Sequence, residues 1–206
     1  MLESLKRMKA LSLPKEYPEN IDLIRLINYR TFLGCILNDV RCAIMSLMAK
    51  GYTSALDIAT ALGFSRTAIY RHLHSLRKNG LVIYRNGRFY IAARFFLVYD
   101  VELDSEESIK LKIYADKGGF ADEDVGFVLV KGESCRCDVC SIAESCLKAV
   151  KNLARKLEIK VRSEIPLEAF TEIAREVTYR DIVSIIKSGY LIVKSPFDEE
   201  GHEEKE

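Results

Sequence analysis

The stretch Thr53–Ala92 reads TSALDIATALGFSRTAIYRHLHSLRKNGLVIYRNGRFYIA. Thr53 or Ser54 can cap a short helix whose Ile58, Ala59 and Leu62 face inward and which Gly63 closes. Phe64 follows, and Ser65 then caps a longer helix, Ser65 to Asn79, that ends at Gly80. Its Ala68, Ile69, Leu73 and Leu76 recur at offsets of three and four, the spacing of one buried stripe. Next, Leu81–Arg85 and Arg88–Ala92 are alternating runs joined by Asn86-Gly87, the strongest short-range signal for a hairpin. Upstream, Asn38 can cap another helix, with Val40, Ala43, Ile44, Leu47 and Met48 at helical spacing up to Gly51. Three short helices and a hairpin make a winged helix-turn-helix, expected over residues 38–98.

Removing the buried stripe from the third helix leaves Ser65, Arg66, Thr67, Tyr70, Arg71 and His74 on its outer face. Forked donors for guanine, hydroxyls for phosphate and an aromatic with a polar tip are what a helix needs to enter a major groove N-terminus first. Arg77 and Lys78 lie nearer the helix end and suit backbone contact. Arg85, Asn86 and Arg88 surround the hairpin tip, where a wing reaches phosphates or the minor groove. No Asp or Glu occurs between Ser65 and Tyr99 to neutralise these cations. The alternative use of such a module is protein interaction, with the arginines forming a solvated face. His72 and His74, two apart on a helix, point to different sides and cannot share an ion.

The segment from Asn38 to Ala93 resembles the winged-helix regulators of the ArsR and MarR type, through its short helix, its turn, its SRTAIYRHLHSLRKNGLV recognition helix and its wing. The resemblance implies sequence-specific binding of duplex DNA, as a homodimer on a near-palindromic site. It places Arg66, Thr67, Tyr70 and Arg71 at base- and phosphate-contacting positions. Metal-sensing members carry Cys-x-Cys at the start of this helix. Here that place holds Ser65-Arg66-Thr67, so that sensing mechanism does not transfer.

Charge divides the chain. Through Arg94 there are 15 Lys/Arg against 6 Asp/Glu, and after it 16 against 24, so a total of +1 conceals halves of +9 and −8. A polyanion-binding half joined to an acidic half with another task follows from this split. With 49% hydrophobic and 30% charged residues the 206-residue chain has the composition of a folded protein, with room for one large or two small domains. No apolar run approaches the ~18–20 residues of a membrane span, and the N-terminus lacks a signal-peptide core, so the expected location is cytoplasmic with no membrane partner. There is no Gln or Trp and only six Asn, a charge-rich, amide-poor composition that leans toward a thermophile, and the expected source is archaeal. Residues 1–37 form an N-terminal extension in which Ile21–Cys35 reads as an extra apolar helix. It could serve a dimer interface or pack on the C-terminal half. Cys35 and Cys42, among apolar neighbours, read as inert core thiols.

The acidic half, residues 99–195, reads as a small α/β metal-binding domain. Ile109, Leu111 and Ile113 alternate with polar residues, as do Val125, Phe127 and Leu129, and the DKGGFADED between them reads as a loop. Asp116, Asp122, Glu123 and Asp124 lack the spacing of a calcium loop and read as solvated. Then comes GESCRCDVCSIAESC, with Cys135, Cys137, Cys140 and Cys146 inside twelve residues. Two disulfides are one explanation, but Cys135 and Cys137 are too near for a relaxed bridge, and nested bridges in so short a loop are strained. Metal coordination is the better one. Structural zinc sites join two knuckles across a longer loop, whereas compact four-thiol runs are more usual for iron–sulfur clusters. The CDVCSIAESC segment resembles the end of the 4Fe-4S loop in endonuclease III-type glycosylases and the cluster motif of the winged-helix RNA polymerase III subunit related to archaeal transcription factor E beta. In the glycosylases six residues, not one, separate the first two cysteines. The expected cofactor is one four-cysteine metal centre, with 4Fe-4S favoured over zinc. Such a centre either staples the domain or, through loss of its thiolates, senses.

A helix over Cys146–Leu157, two more over Leu167–Val177 and Thr178–Ser188, and a strand at Tyr190–Val193 complete the chain before an acidic tail at 196–206 that reads as disordered. No catalytic Ser/His/Asp set occurs and no His lies between His74 and His202, so no enzyme is expected. The fold class read from the sequence is α+β, an N-terminal winged helix-turn-helix followed by the four-cysteine domain. The function read is a sequence-specific transcriptional regulator bound to double-stranded DNA. A basal, RNA polymerase-associated winged-helix factor is the other reading.

Overall fold

The computed structural model describes residues 22–103 and 109–183. Strand β1 (Asp22–Asn28) leads into helices α1 (Tyr29–Ile36), α2 (Asp39–Ala49), α3 (Ala55–Leu62) and α4 (Arg66–Lys78). Strands β2 (Val82–Arg85) and β3 (Arg88–Ile91) form the hairpin, and β4 (Ala93–Leu103), β5 (Ile109–Asp122) and β6 (Gly126–Lys131) follow. A short 3-10 turn, Gly132–Ser134, opens the cysteine loop, and α5 (Ala143–Lys156), α6 (Pro166–Val177) and a π-helical turn at Thr178–Ile182 complete the described chain.

The three expected helices start at their expected caps. Asn38, Ser54 and Ser65 each accept a backbone N–H of the first turn, at 3.1 Å from Arg41, 3.2 Å from Leu56 and 3.2 Å from Ala68. Gly63, left-handed at φ 69°, closes α3. Asn86 and Gly87, at φ 50° and 79°, make the two-residue turn whose twist matches the flanking strands.

The four-stranded sheet runs β1-β4-β5-β6, with β1 parallel to β4 and the other pairs antiparallel. Its centre is Phe95-Phe96-Leu97-Val98, all fully buried. Phe96 and Val98 enter a core shared with α1–α4, while Phe95 and Leu97 enter a second core with α5 and α6. A strand buried on both faces loses the alternation of a surface strand and reads as a continuous apolar run. The sheet is the middle layer between the helix-turn-helix and the α5–α6 pair.

Four expectations differ from the structure. The helix expected over Ile21–Cys35 is a strand, Asp22–Asn28, followed by a helix, Tyr29–Ile36. Its apolar residues pair with β4 and enter both cores, which removes the surplus apolar face. Secondly, the loop expected at DKGGFADED is mostly strand, since β5 continues to Asp122. Its glycines serve close packing: a Cβ on Gly118 would run into the Phe96 carbonyl oxygen, and one on Gly119 would lie 2.8 Å from Phe127. Thirdly, the expected boundary between residues 98 and 99 falls inside β4. The helix at the cysteines begins at Ala143, three residues before Cys146. Residues 1–21, the strand at 190–193 and the tail at 196–206 lie outside the described residues. Among the described residues no single helix is long and apolar enough to cross a membrane.

Candidate DNA-binding face and cysteine cavity

Helix α4 turns Ile69, Leu73 and Leu76 into the core and everything charged outward. Ser65, Arg66, Thr67, Tyr70, Arg71, His74, Arg77 and Lys78 are all exposed, and so are Arg85, Asn86 and Arg88 on the wing. His72, two residues from His74, is half-buried. The first turn of α4 carries no acid and its last turn carries Arg77 and Lys78. Ser65 takes the first-turn N–H of Ala68, and the N-terminus presents a positive dipole end beside Arg66, an arrangement suited to phosphate.

Several of these side chains are held in place before any ligand arrives. The Arg66 guanidinium lies over the Tyr70 ring, 5.4 Å from its centroid, and donates to the Tyr70 hydroxyl at 3.3 Å. That hydrogen bond holds the guanidinium above its ordinary pKa. Tyr70 meets Phe89 of the wing edge-on at 5.9 Å, Phe89 packs on Tyr84 at 4.6 Å, and Arg77 lies over Tyr84 at 5.8 Å. The Phe89 N–H also donates to the Thr53 carbonyl at 2.8 Å, fixing the wing to the start of α3. At the far end of α4, the Arg25 guanidinium of β1 donates to the Gly80 carbonyl at 2.7 Å. Tyr84 and Phe89 were not among the expected site residues. Their signal was present as alternation: Phe89 faces inward and the exposed Tyr84 pairs with it directly across the hairpin.

The four cysteines of the acidic half line one cavity of about 400 Å³ between β6, the loop and the starts of α5 and α6. All four are free thiols, as are Cys35, buried, and Cys42, half-buried. Burial pushes the Cys42 thiol up. Most of the remaining wall is hydrocarbon, including Phe120, Val128, Val130, Ile142 and Leu167. Self-bonded turns shape the loop: the Cys135 N–H donates to the Gly132 carbonyl at 2.9 Å, Val139 to Arg136 at 3.2 Å and Ala143 to Cys140 at 3.1 Å. The Lys131 N–H donates to Cys135 Sγ at 3.2 Å. Burial, then the neighbouring Cys137, Cys140 and Cys135, push the Cys146 thiol up to about 11. Among the described residues no three His, Cys, Asp or Glu side chains are arranged to hold a single metal ion. The expected four-thiol set is thus gathered around one cavity without converging on one point.

The net acidity of this half is not uniform. Lys148, Lys151 and Arg155 on α5, with Lys160 and Arg162 after it, line an open groove that the summed charge conceals.

The fold and the first of these sites define a winged helix-turn-helix, the DNA-binding module of transcriptional regulators. Residues 38–84 match the family of bacterial regulatory proteins of the arsR type, under a quarter of the chain. Among curated proteins none matches the chain.

Proposed function

We propose that the protein is a sequence-specific, double-stranded DNA-binding transcriptional regulator that acts as a homodimer, and that its cysteine centre stabilises or switches the acidic half. The observation that carries the reading is the outer surface of α4 and the wing. Eleven exposed residues there include six Arg or Lys, and no acid occurs between Ser65 and Tyr99. Such a surface attracts the phosphate backbone without regard to sequence. Arg66 and Arg71, near the helix N-terminus, are placed for forked contacts to guanine, with Tyr70 and His74 beside them. Arg66 reaches the groove already oriented by Tyr70, so less side-chain entropy is lost on contact. Arg77, Lys78, Arg85 and Arg88 neutralise flanking phosphates. We read the protein as a regulator and not an enzyme.

The test is selection of duplexes from a random pool by the full chain, followed by titration of the enriched duplex against competitor DNA, with the molar mass of free and bound protein measured. The expected result is one near-palindromic motif bound by two chains and retained over competitor. Co-purification with RNA polymerase and no enriched motif would overturn the reading in favour of a polymerase-associated factor.

A further inference from the structure

We propose that the basic groove along α5 is the docking site of the acidic segment of the same chain, residues 197–206. The inference goes beyond the DNA-binding reading and does not depend on it.

Charge divides the acidic half a second time. Residues 99–124 hold nine Asp or Glu against three Lys or Arg, and 196–206 hold six against one, whereas 125–195 hold nine against twelve. The stretch that carries α5 and α6 is therefore net positive, and the segment that follows it is strongly negative. The positive charge is also gathered in one place. Lys148, Lys151 and Arg155 recur on α5 at the spacing of a single helix face, and the exposed Lys160 and Arg162 alternate in the segment after it. These five cations line one open groove of about 850 Å³, in which Glu144 is the one acid and the half-buried Leu147 and Val161 supply apolar surface. Lys151 is held by Glu164 at 2.6 and 2.7 Å, and Arg155 donates to Asn152. Lys148, Lys160 and Arg162 meet no carboxylate among the described residues. Like charges at helical spacing repel one another, so an anionic occupant relieves the groove as well as filling it.

Such a lining recognises several carboxylates with an apolar anchor. Phe197-Asp198-Glu199-Glu200, followed by Glu203, Glu204 and Glu206, has that composition. The described chain also ends beside the groove. The turn after α6 brings the Arg180 guanidinium to the Leu157 carbonyl at the end of α5, at 3.3 Å, and sets Tyr179 in a neighbouring hollow that Lys160 and Arg162 share. Val183 lies four residues beyond Tyr179, and the fourteen residues between Val183 and Asp198 span at most about 50 Å. A ligand joined to its site over such a length has an effective concentration of about millimolar, which an untethered competitor has to match. A nucleic acid offers the same sign of charge. However, the groove has no aromatic ring in its lining on which a base would stack, and it lies across the sheet from α4.

The experiment is carbodiimide crosslinking of the full chain, which joins a carboxylate directly to a lysine in contact with it, on an equal mixture of 15N-labelled and unlabelled protein. Mass spectrometry should find bonds from the acids of 198–206 to Lys148 or Lys160 within one chain. These should be lost on raising salt from about 0.1 to about 1 M, where the screening length falls from about 10 to about 3 Å. Arg155→Gln with Arg162→Gln removes two cations and no crosslinking lysine. It should lower the yield about 2-fold to 30-fold, the equivalent of two exposed ion pairs, with an unchanged far-ultraviolet circular dichroism spectrum. Glu199→Gln with Glu200→Gln, outside the described fold, should lower the yield at Glu203 and Glu204 to a similar extent. Mixed-label products, bonds chiefly to Lys78 of α4, or a yield that neither pair of substitutions changes would overturn the proposal. So would photocrosslinks from a bromouridine-substituted DNA to residues 147–162 of the full chain, which would make the groove a nucleic-acid site. A chain that prefers no duplex removes the DNA-binding reading and leaves the crosslinks to decide this one.

Discussion

Arg66 shows how a single residue joins local structure to recognition. It follows the Ser65 cap at the start of α4, and its side chain is held against Tyr70 one helical turn along. Replacing Arg66 or Arg71 by Ala should each cost about 1–3 kcal/mol of discrimination between the operator and duplexes altered at the contacted base. Equal affinity for altered and unaltered duplexes in the wild type would remove the basis of this assignment. The wing arginines act differently. Arg85→Ala and Arg88→Ala should weaken binding to every duplex alike, and each should reduce the slope of log K against log salt by about 0.9, one phosphate contact. The outward set was legible because only the core demands periodicity: once Ile69, Leu73 and Leu76 are assigned inward, the exposed residues follow. The hairpin pairing of Tyr84 with Phe89 was open to reading from alternation, but the contacts of Phe89 with Tyr70 and of Tyr84 with Arg77 were not, since contacts between separate elements leave no spacing in the chain.

Among the elements, the hairpin depends most on its turn. Gly87 at φ 79° occupies a backbone region that costs a side-chain-bearing residue about 1–2 kcal/mol, and a β-branched residue more. Gly87→Val should lower thermal stability by at least that amount and weaken DNA binding, as the strands on either side of the turn carry Arg85 and Arg88. An unchanged melting temperature would show that the turn does not govern the wing. Strand β6 offers a second test. Ser46→Ala leaves the Phe127 N–H without its side-chain partner and should cost about 1–3 kcal/mol of stability, read from denaturant unfolding. The elements that the sequence conceals are those the tertiary structure overrides. In β1, Leu23, Ile24, Leu26 and Ile27 have the spacing of a helix face, yet a strand covered on both sides has the same signature. In β5, Gly118-Gly119 carries the composition of a loop, and only the approach of Phe96 and Phe127 explains why glycine stands there.

For the whole molecule, the sheet removes the division that charge suggests. The +9 and −8 halves meet on one set of strands, with Phe96 and Val98 facing one way and Phe95 and Leu97 the other. A disturbance on the cysteine side therefore crosses a single close-packed layer to reach the DNA-binding side. Gly119→Val should destabilise the entire fold by more than about 1–3 kcal/mol, the usual range for overpacking, because it presses on Phe127 and Phe32 together. One cooperative transition, reported identically by ring and backbone probes, is the expected form of its unfolding. Whether α4 enters a major groove is decided by dimethyl sulfate protection of guanine N7 on a selected duplex. Guanines in each half-site should be protected, with protection lost at one of them when Arg66 is replaced by Ala. Binding that leaves every guanine N7 reactive would contradict it.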